Sequence, residues 1–256
     1  MKRAIYIIAA FIFLFNIHSF EANAQKRKVL NLQNYDKQPY HFGFILGINH
    51  MLFTVKPVAD LNLQQWEPYQ FPDLFVDSLS VLSVTSTPTP GFTIGILANL
   101  RLGEYWDMRF IPALSFGERI LRYNVLAYDD GDESILELEK SITSTFIDFP
   151  LEFRYKSKRL NNFRAYVLAG GKYTLDLASQ KKAEENSDDI TVKINKHDIS
   201  AEVGVGVEFY TTYFKFGTQV KMGYGLNNLI QYEDNIYSNS IDKLRSKVFL
   251  LSFTFE

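Results

Sequence analysis

The sequence contains no cysteine, and its 256 residues carry a formal net charge of only −2. Without cysteine the chain can form neither a disulfide nor a thiolate metal site, and it has no thiol nucleophile. It also lacks the residue to which a lipoprotein anchor would be attached. The nearly neutral charge provides no global basic field. The sequence therefore predicts no nucleic-acid partner and no chemistry that depends on a thiol.

Histidine is scarce as well, since the chain has four: His18, His41, His50 and His197. Their spacing fits no zinc site. The sequence contains neither a G-x-S-x-G nucleophile elbow nor a nucleotide-binding glycine loop. We therefore expect a protein that is not an enzyme, with no catalytic residues, no metal site, no cofactor and no small-molecule substrate.

The first 24 residues have the features of a secretory signal. Lys2 and Arg3 precede an apolar run at residues 4–17, and the Ala22-Asn23-Ala24 segment fits a cleavage site. A membrane-anchoring helix is the alternative, but the run is shorter than the roughly 20 residues that such a helix needs. We expect cleavage after Ala24 and export by a Sec-type route, with residues 25–39 as a periplasmic N-terminal segment.

The mature chain has a strong strand pattern. It contains 22 Phe and 15 Tyr, and aromatic side chains pack well on a pleated surface. Residues 199–209 alternate apolar and polar or glycine positions without a break, as a half-buried strand requires. The same pattern predicts eight strands near residues 40–55, 91–102, 106–123, 141–155, 163–177, 199–209, 214–223 and 249–255.

The connections between these strands alternate in length. Short links lie around Gly103 and at residues 156–162 and 211–212. Long polar links lie at about residues 56–90, 124–140, 178–196 and 227–243. Short periplasmic turns and long extracellular loops are typical of outer-membrane barrels. The sequence thus predicts an all-β fold, an eight-stranded antiparallel transmembrane β-barrel at residues 40–256, located in the outer membrane in contact with lipid.

The polar face of the predicted strands mixes acidic and basic side chains. An eight-stranded barrel is barely wide enough for its own side chains, and a buried charge without a partner is costly. We therefore expect a salt-bridged network that fills the lumen in preference to a conducting pore. A soluble lipocalin-like barrel would have the opposite arrangement, apolar inside and polar outside. The predicted lumen network consists of Arg109, Arg119, Glu152, Arg154, Lys172, Glu202, Glu208, Lys215 and Lys221.

Two segments are candidate partner-binding sites. The basic turn of Lys156, Lys158, Arg159 and Arg164 is expected to face the periplasm, either as a dock for a partner or as a plain solvated turn. The 56–90 loop is long for a structureless connection, and its prolines (Pro57, Pro68, Pro72, Pro88 and Pro90) argue against regular structure. We expect it to form a lid or to bind a partner through Trp66, Tyr69, Phe71 and Phe75.

Three segments resemble proteins of the PorT family. They are residues 34–37 with 41–47 (NYDK and HFGFILG), residues 109–119 (RFIPALSFGER), and residues 149–164, with the polar turn YKSKRLNNFR. PorT proteins are outer-membrane barrels of Bacteroidetes linked to type IX secretion. The resemblance implies an accessory role in exporting cargo with a C-terminal signal, and in gliding motility where that occurs, with other secretion components as partners.

Two other functions remain open at this stage. One is a generic eight-stranded barrel that stabilises the envelope or adheres to ligands through its loops. The other is a small porin. Loss of cargo secretion on deletion, envelope or adhesion defects, and ion conductance would distinguish the three.

Overall fold

The computed structural model describes residues 29–63, 65–66, 77–130, 132–177, 192–233 and 235–256. The fold described here is that of the unit Asn31–Glu256. The expected signal peptide, residues 1–24, lies outside the described residues. The strands are β1 (Tyr40–Pro57), β2 (Gln65–Trp66), β3 (Ser78–Thr87), β4 (Thr89–Arg101), β5 (Trp106–Phe110), β6 (Ala113–Asp129), β7 (Asp132–Lys156), β8 (Phe163–Asp176), β9 (His197–Tyr210), β10 (Lys215–Gly225) and β11 (Ile241–Phe255).

The strands pair into an antiparallel sheet that closes on itself. Strand β1 pairs with β11 along one side and with β4 along the other. Strands β3 and β4 form one continuous segment broken at Pro88, since both pair with β6. Strands β5 and β6 form another, broken at Ile111 and Pro112, since both pair with β7. Counted as continuous segments, eight strands complete the ring. The predicted eight-stranded antiparallel β-barrel is confirmed.

Two of the predicted long loops contain strand where we expected none. Strand β3 lies within the 56–90 link and pairs with β6. The proline argument was wrong there because β3 itself contains no proline, and Pro88 only separates it from β4, in which the segment continues. The 124–140 link is a tight hairpin, since β6 and β7 pair as far as Asp129 and Asp132. Asp130 adopts a φ of 46° in that turn, a left-handed conformation that Asp tolerates.

The other two long links differ less from expectation. Residues 192–196 of the 178–196 link carry only an isolated bridge, between Ile194 and Ile230, and residues 178–191 lie outside the described residues. The 227–243 link contains one helical turn, Ile236–Asn239, and ends where β11 begins at Ile241. Asn235 caps that turn by accepting a hydrogen bond from the Ser238 amide. Two further 3-10 turns occur at Tyr35–Lys37 and Leu61–Leu63.

The outward face of the ring is apolar and the inward face polar. On β1, Phe42, Phe44 and Ile48 are exposed, while Asn49, the residue after Ile48, is buried. Such a large contiguous apolar exterior is characteristic of a surface that meets lipid or a partner. The aromatic rings stack between strands, as in the Phe44–Phe255 pair with 4.8 Å between ring centroids. We call the end with the links at residues 102–105, 157–162 and 211–214 the inner end and the opposite end the outer end.

The outer end of the ring is closed by an apolar core. Side chains from β3, β6 and the start of β11 converge there with residues of the 192–194 and 229–237 segments, which fold back into the opening. Removal of this apolar surface from water stabilises the arrangement. The core contains Phe53, Leu61, Leu79, Val81, Val84, Leu121, Tyr123, Val125, Ala127, Ile142, Val192, Ile194, Leu229, Ile230, Ile236, Tyr237, Ile241 and Leu244.

Candidate functional site

One group of lumen charges surrounds Glu208 towards the inner end. Its carboxylate lies 2.5 Å from the Arg154 guanidinium, 3.3 Å from the Lys215 ammonium and 3.4 Å from Arg109. Glu256 adds a second carboxylate, which pairs with Arg109 and lies 2.8 Å from Lys215. The five charged side chains are almost completely buried, so each charge has its counter-ion within the lumen.

A second group lies around Lys221. Its ammonium donates to Glu152 at 2.7 Å and to Glu202 at 2.8 Å. Lys172 extends the group, since its ammonium is 3.6 Å from Glu202 and 3.5 Å from Asp148. The hydroxyls of Ser115 and Thr174 donate to Asp148 at 2.7 and 2.6 Å.

Two of the arginine side chains in the lumen stack on aromatic rings. The Arg154 guanidinium stacks 3.6 Å from the centroid of the Tyr166 ring. Arg119 lies over the rings of Phe53 and Phe146, at 4.2 and 4.9 Å, and its charge faces Asp176 at 3.7 Å. Flat guanidinium groups combine charge pairing with stacking on aromatic rings, which suits a narrow lumen.

All nine side chains of the predicted lumen network lie inside the ring, in these two groups or beside them. Sequence reasoning missed Glu256, although the alternation that points Phe253 and Phe255 outward places Glu256 inward. Eight basic and eight acidic side chains are buried there in the described structure, so the lumen has no net charge. They are Arg109, Arg119, Arg154, Lys156, Arg164, Lys172, Lys215 and Lys221 with Asp107, Asp148, Glu152, Asp176, Asp198, Glu202, Glu208 and Glu256.

The space left in the lumen is small. A cavity of about 30 Å³ lies beside Arg119 and Asp198, and another of about 20 Å³ lies beside Lys221. These volumes are close to that of a single water molecule, whereas small-molecule sites occupy several hundred Å³. Neither cavity accommodates a solute. The described residues also contain no cluster of His, Asp and Glu arranged to hold a metal ion.

The inner end is closed by the chain itself. Residues 31–38, which we call the N-terminal plug, place Tyr35 flat on His41, with 3.9 Å between ring centroids. Burial raises the pKa of the Tyr35 phenol well above its usual range, so the side chain stays neutral. Asp36 accepts hydrogen bonds from Arg164 and from the Tyr210 hydroxyl, the latter at 2.8 Å. The plug thus covers the Glu208 group from the inner side.

The basic turn is therefore not the free patch that the sequence suggested. Lys156 is buried against Asp107, with 2.7 Å between ammonium and carboxylate. Arg159 and Arg164 bind the N-terminal plug through Asp36. Lys158 is exposed. The sequence could not indicate this, because Asp36 lies 128 residues from Arg164 along the chain.

The aromatic part of the 56–90 link is only partly described. Trp66 is half-buried and packs against the apolar core at the outer end. Tyr69, Phe71 and Phe75 lie outside the described residues. Trp66 therefore contributes to closing the outer end. A partner-binding role of this segment stays a prediction.

A model of a known protein family matches most of the chain. Residues 23–231 match the outer membrane protein beta-barrel domain. The chain belongs to this family. Among solved structures, the outer membrane protein OprG from Pseudomonas aeruginosa is similar, with a TM-score of 0.34 and 12% sequence identity, covering 83% of this chain and 95% of that chain. No curated protein matches the sequence.

Membership of this family places the barrel in the outer membrane. Its exposed apolar side chains contact lipid. In such barrels the short turns usually lie at the periplasmic end, so we expect the inner end to face the periplasm. Tyr40, Trp106 and Tyr155 lie near these turns and are about half exposed, which suits the amphipathic membrane interface. Among the described helices, none has the length and hydrophobicity to cross a membrane.

Proposed function

We propose that this outer-membrane barrel is an accessory component of the type IX protein secretion machinery, and of gliding where that occurs. It would act by binding other components of the machinery, with no chemistry of its own. The observation that carries the binding role is the filled lumen. Since charge groups occupy the interior and both ends are closed, the surfaces remain the part of the molecule that can act on something else.

The resemblance to PorT proteins supports the choice of pathway. Its three segments supply many of the residues that close the barrel. Residues 34–37 contribute Asp36 of the N-terminal plug, residues 109–119 contribute Arg109 and Arg119, and residues 149–164 contribute Glu152, Arg154, Lys156 and Arg164. A resemblance concentrated in the closing elements favours a family in which the closed barrel is functional.

The proposed partner surfaces are the exposed parts of the two ends. At the periplasmic end, Lys158, Leu160 and Tyr213 project from neighbouring turns, and Tyr213 is 89% exposed. In the 56–90 link, Tyr69, Phe71 and Phe75 are the candidates that the sequence provides. Exposed aromatic side chains such as Tyr213 are enriched in protein interfaces, and an exposed charge such as that of Lys158 can steer and orient a charged partner.

A deletion strain tests the proposal. Cargo that carries a C-terminal signal is expected to accumulate in the periplasm, and the wild-type gene is expected to restore its secretion. A Lys158→Glu, Tyr213→Ala variant should insert normally yet restore secretion poorly, whereas Lys247→Glu, on the outer half of β11, should restore it fully. Normal secretion in the deletion strain would contradict the role. Envelope or adhesion defects alone would indicate a stabilising or adhesive barrel.

A further inference from the structure

A groove crosses the lipid-facing wall of the barrel near its periplasmic end. It spans β7, β8, β9 and β10, is open to the membrane and has a volume of about 600 Å³. Small-molecule sites occupy a similar range. The outward side chains that line it are Tyr155, Ala165, Val167, Val205, Thr218 and Val220.

The groove exists because small side chains face one another across neighbouring strands. Val205 pairs with Val167 on one side and with Val220 on the other, and Ala165 pairs with Val207. One position closer to the periplasm the outward residues are aromatic. The rings of Phe163 and Phe209 are 5.4 Å apart, and those of Phe209 and Phe216 are 6.5 Å apart. The row of rings forms a ledge below the groove.

The periplasmic rim of the groove carries a positive charge. Ser157 lines the rim, and the next residue, Lys158, is exposed. In the described structure no acidic side chain lies within ion-pair distance of Lys158, although its neighbours Lys156 and Arg159 are both paired. An apolar floor with a single cation at its membrane-interface end is complementary to an amphiphile with an anionic head.

We propose that the groove binds one acyl chain of an anionic phospholipid from the inner leaflet, with the phosphate held at Lys158. The wall faces lipid, so acyl chains are present at high concentration. The small valine, alanine and threonine side chains leave room for an acyl chain. The bulky side chains elsewhere on the wall leave no such space. The inference rests on the outer-membrane location. It shares Lys158 with the proposed partner surface, but its tests measure lipid on the isolated barrel and can fail while the secretion role holds.

Lipid retention tests the site on the intact barrel. The protein is reconstituted with equal amounts of phosphatidylglycerol and phosphatidylethanolamine, extracted into detergent and examined by native mass spectrometry. We expect one retained phosphatidylglycerol in the wild type and its loss in the Ala165→Phe, Val205→Phe variant. Ala201→Phe is the matched control, since Ala201 is exposed on the same face of β9 outside the groove, and it should retain the lipid. Equal retention by wild type and filled-groove variant would overturn the proposal.

A second measurement avoids any substitution within the groove. The Trp66→Phe variant leaves Trp106 as the remaining tryptophan, whose ring lies 5.1 Å from that of Tyr155 on the groove wall. We expect brominated phosphatidylglycerol to quench its emission at a mole fraction about fivefold lower than brominated phosphatidylethanolamine, the effect of one basic side chain near an anionic lipid. Adding Lys158→Gln should remove the difference. Identical quenching curves for the two lipids before that change would overturn the proposal.

Discussion

Asp36 and Arg164 face each other in a two-point contact. The two terminal nitrogens of the Arg164 guanidinium donate to the two carboxylate oxygens of Asp36, each at 3.1 Å. Paired geometry of this kind gives a charged hydrogen bond both strength and a fixed direction. The contact joins the segment that precedes β1 to the start of β8, and it fixes the N-terminal plug over the inner end of the lumen.

Breaking this contact should loosen the plug and leave the barrel folded. We expect Asp36→Asn to lower the free energy of plug opening by about 1.5–3 kcal/mol, the usual contribution of a hydrogen bond to a charged group. Hydrogen exchange of the amides of residues 31–38 should rise accordingly, while exchange in β8 and β9 stays unchanged. Asp132→Asn, at the opposite end of the barrel, is the matched control. Unchanged exchange in residues 31–38 would show that Asp36 does not hold the plug.

The Glu208 group should be important for stability. In Glu208→Gln the charges of Arg154, Lys215 and Arg109 lose a shared counter-ion in a buried setting. Removing one member of a buried ion pair costs about 3–5 kcal/mol, so the urea midpoint for unfolding from lipid vesicles should fall markedly. Glu137→Gln, which removes an exposed partner of Arg122, should change stability by less than about 1 kcal/mol. Similar midpoints for the two variants would contradict the network's role.

Gly206 should tolerate no side chain. A Cβ atom at this position would collide with the Tyr166 ring inside the lumen. Gly206→Ala is expected to destabilise the barrel by about 1–3 kcal/mol, the typical cost of overpacking. Tyr166→Leu should recover part of the loss when the two changes are combined. Gly171→Ala is the control, because its nearest neighbour would be the Ser200 carbonyl oxygen at 3.9 Å. Unfolding midpoints that do not separate Gly206→Ala from Gly171→Ala would rule out crowding at the Tyr166 ring.

The alternation of outward and inward residues made the ring predictable from sequence. It placed Arg109, Glu152 and Glu208 in the lumen and gave the count of eight segments. The strand extensions were harder to predict. Strand β3 follows a proline-rich stretch, and its outer-end residues are buried on the inward face as an apolar core, which removes the polar half of the alternation signal.

The plug could not be predicted in the same way. Asp36 lies in a short polar segment with no periodic pattern, and its partners Arg159, Arg164 and Tyr210 belong to turns far along the chain. A contact of this kind depends on where the closed ring brings its turns together. The basic turn consequently looked free in the sequence, although three of its four charges are paired within the chain.

Single-channel recording in a planar bilayer tests the filled lumen most directly. The account predicts no conductance steps from the full-length barrel above the lipid baseline. It predicts no steps from Asp36→Asn either, because the Glu208 and Lys221 groups fill the lumen without the plug. A characterised porin inserted under the same conditions is the positive control and should conduct. Reproducible voltage-independent steps from the wild-type barrel would contradict the closed lumen and with it the view that this protein acts through its surfaces.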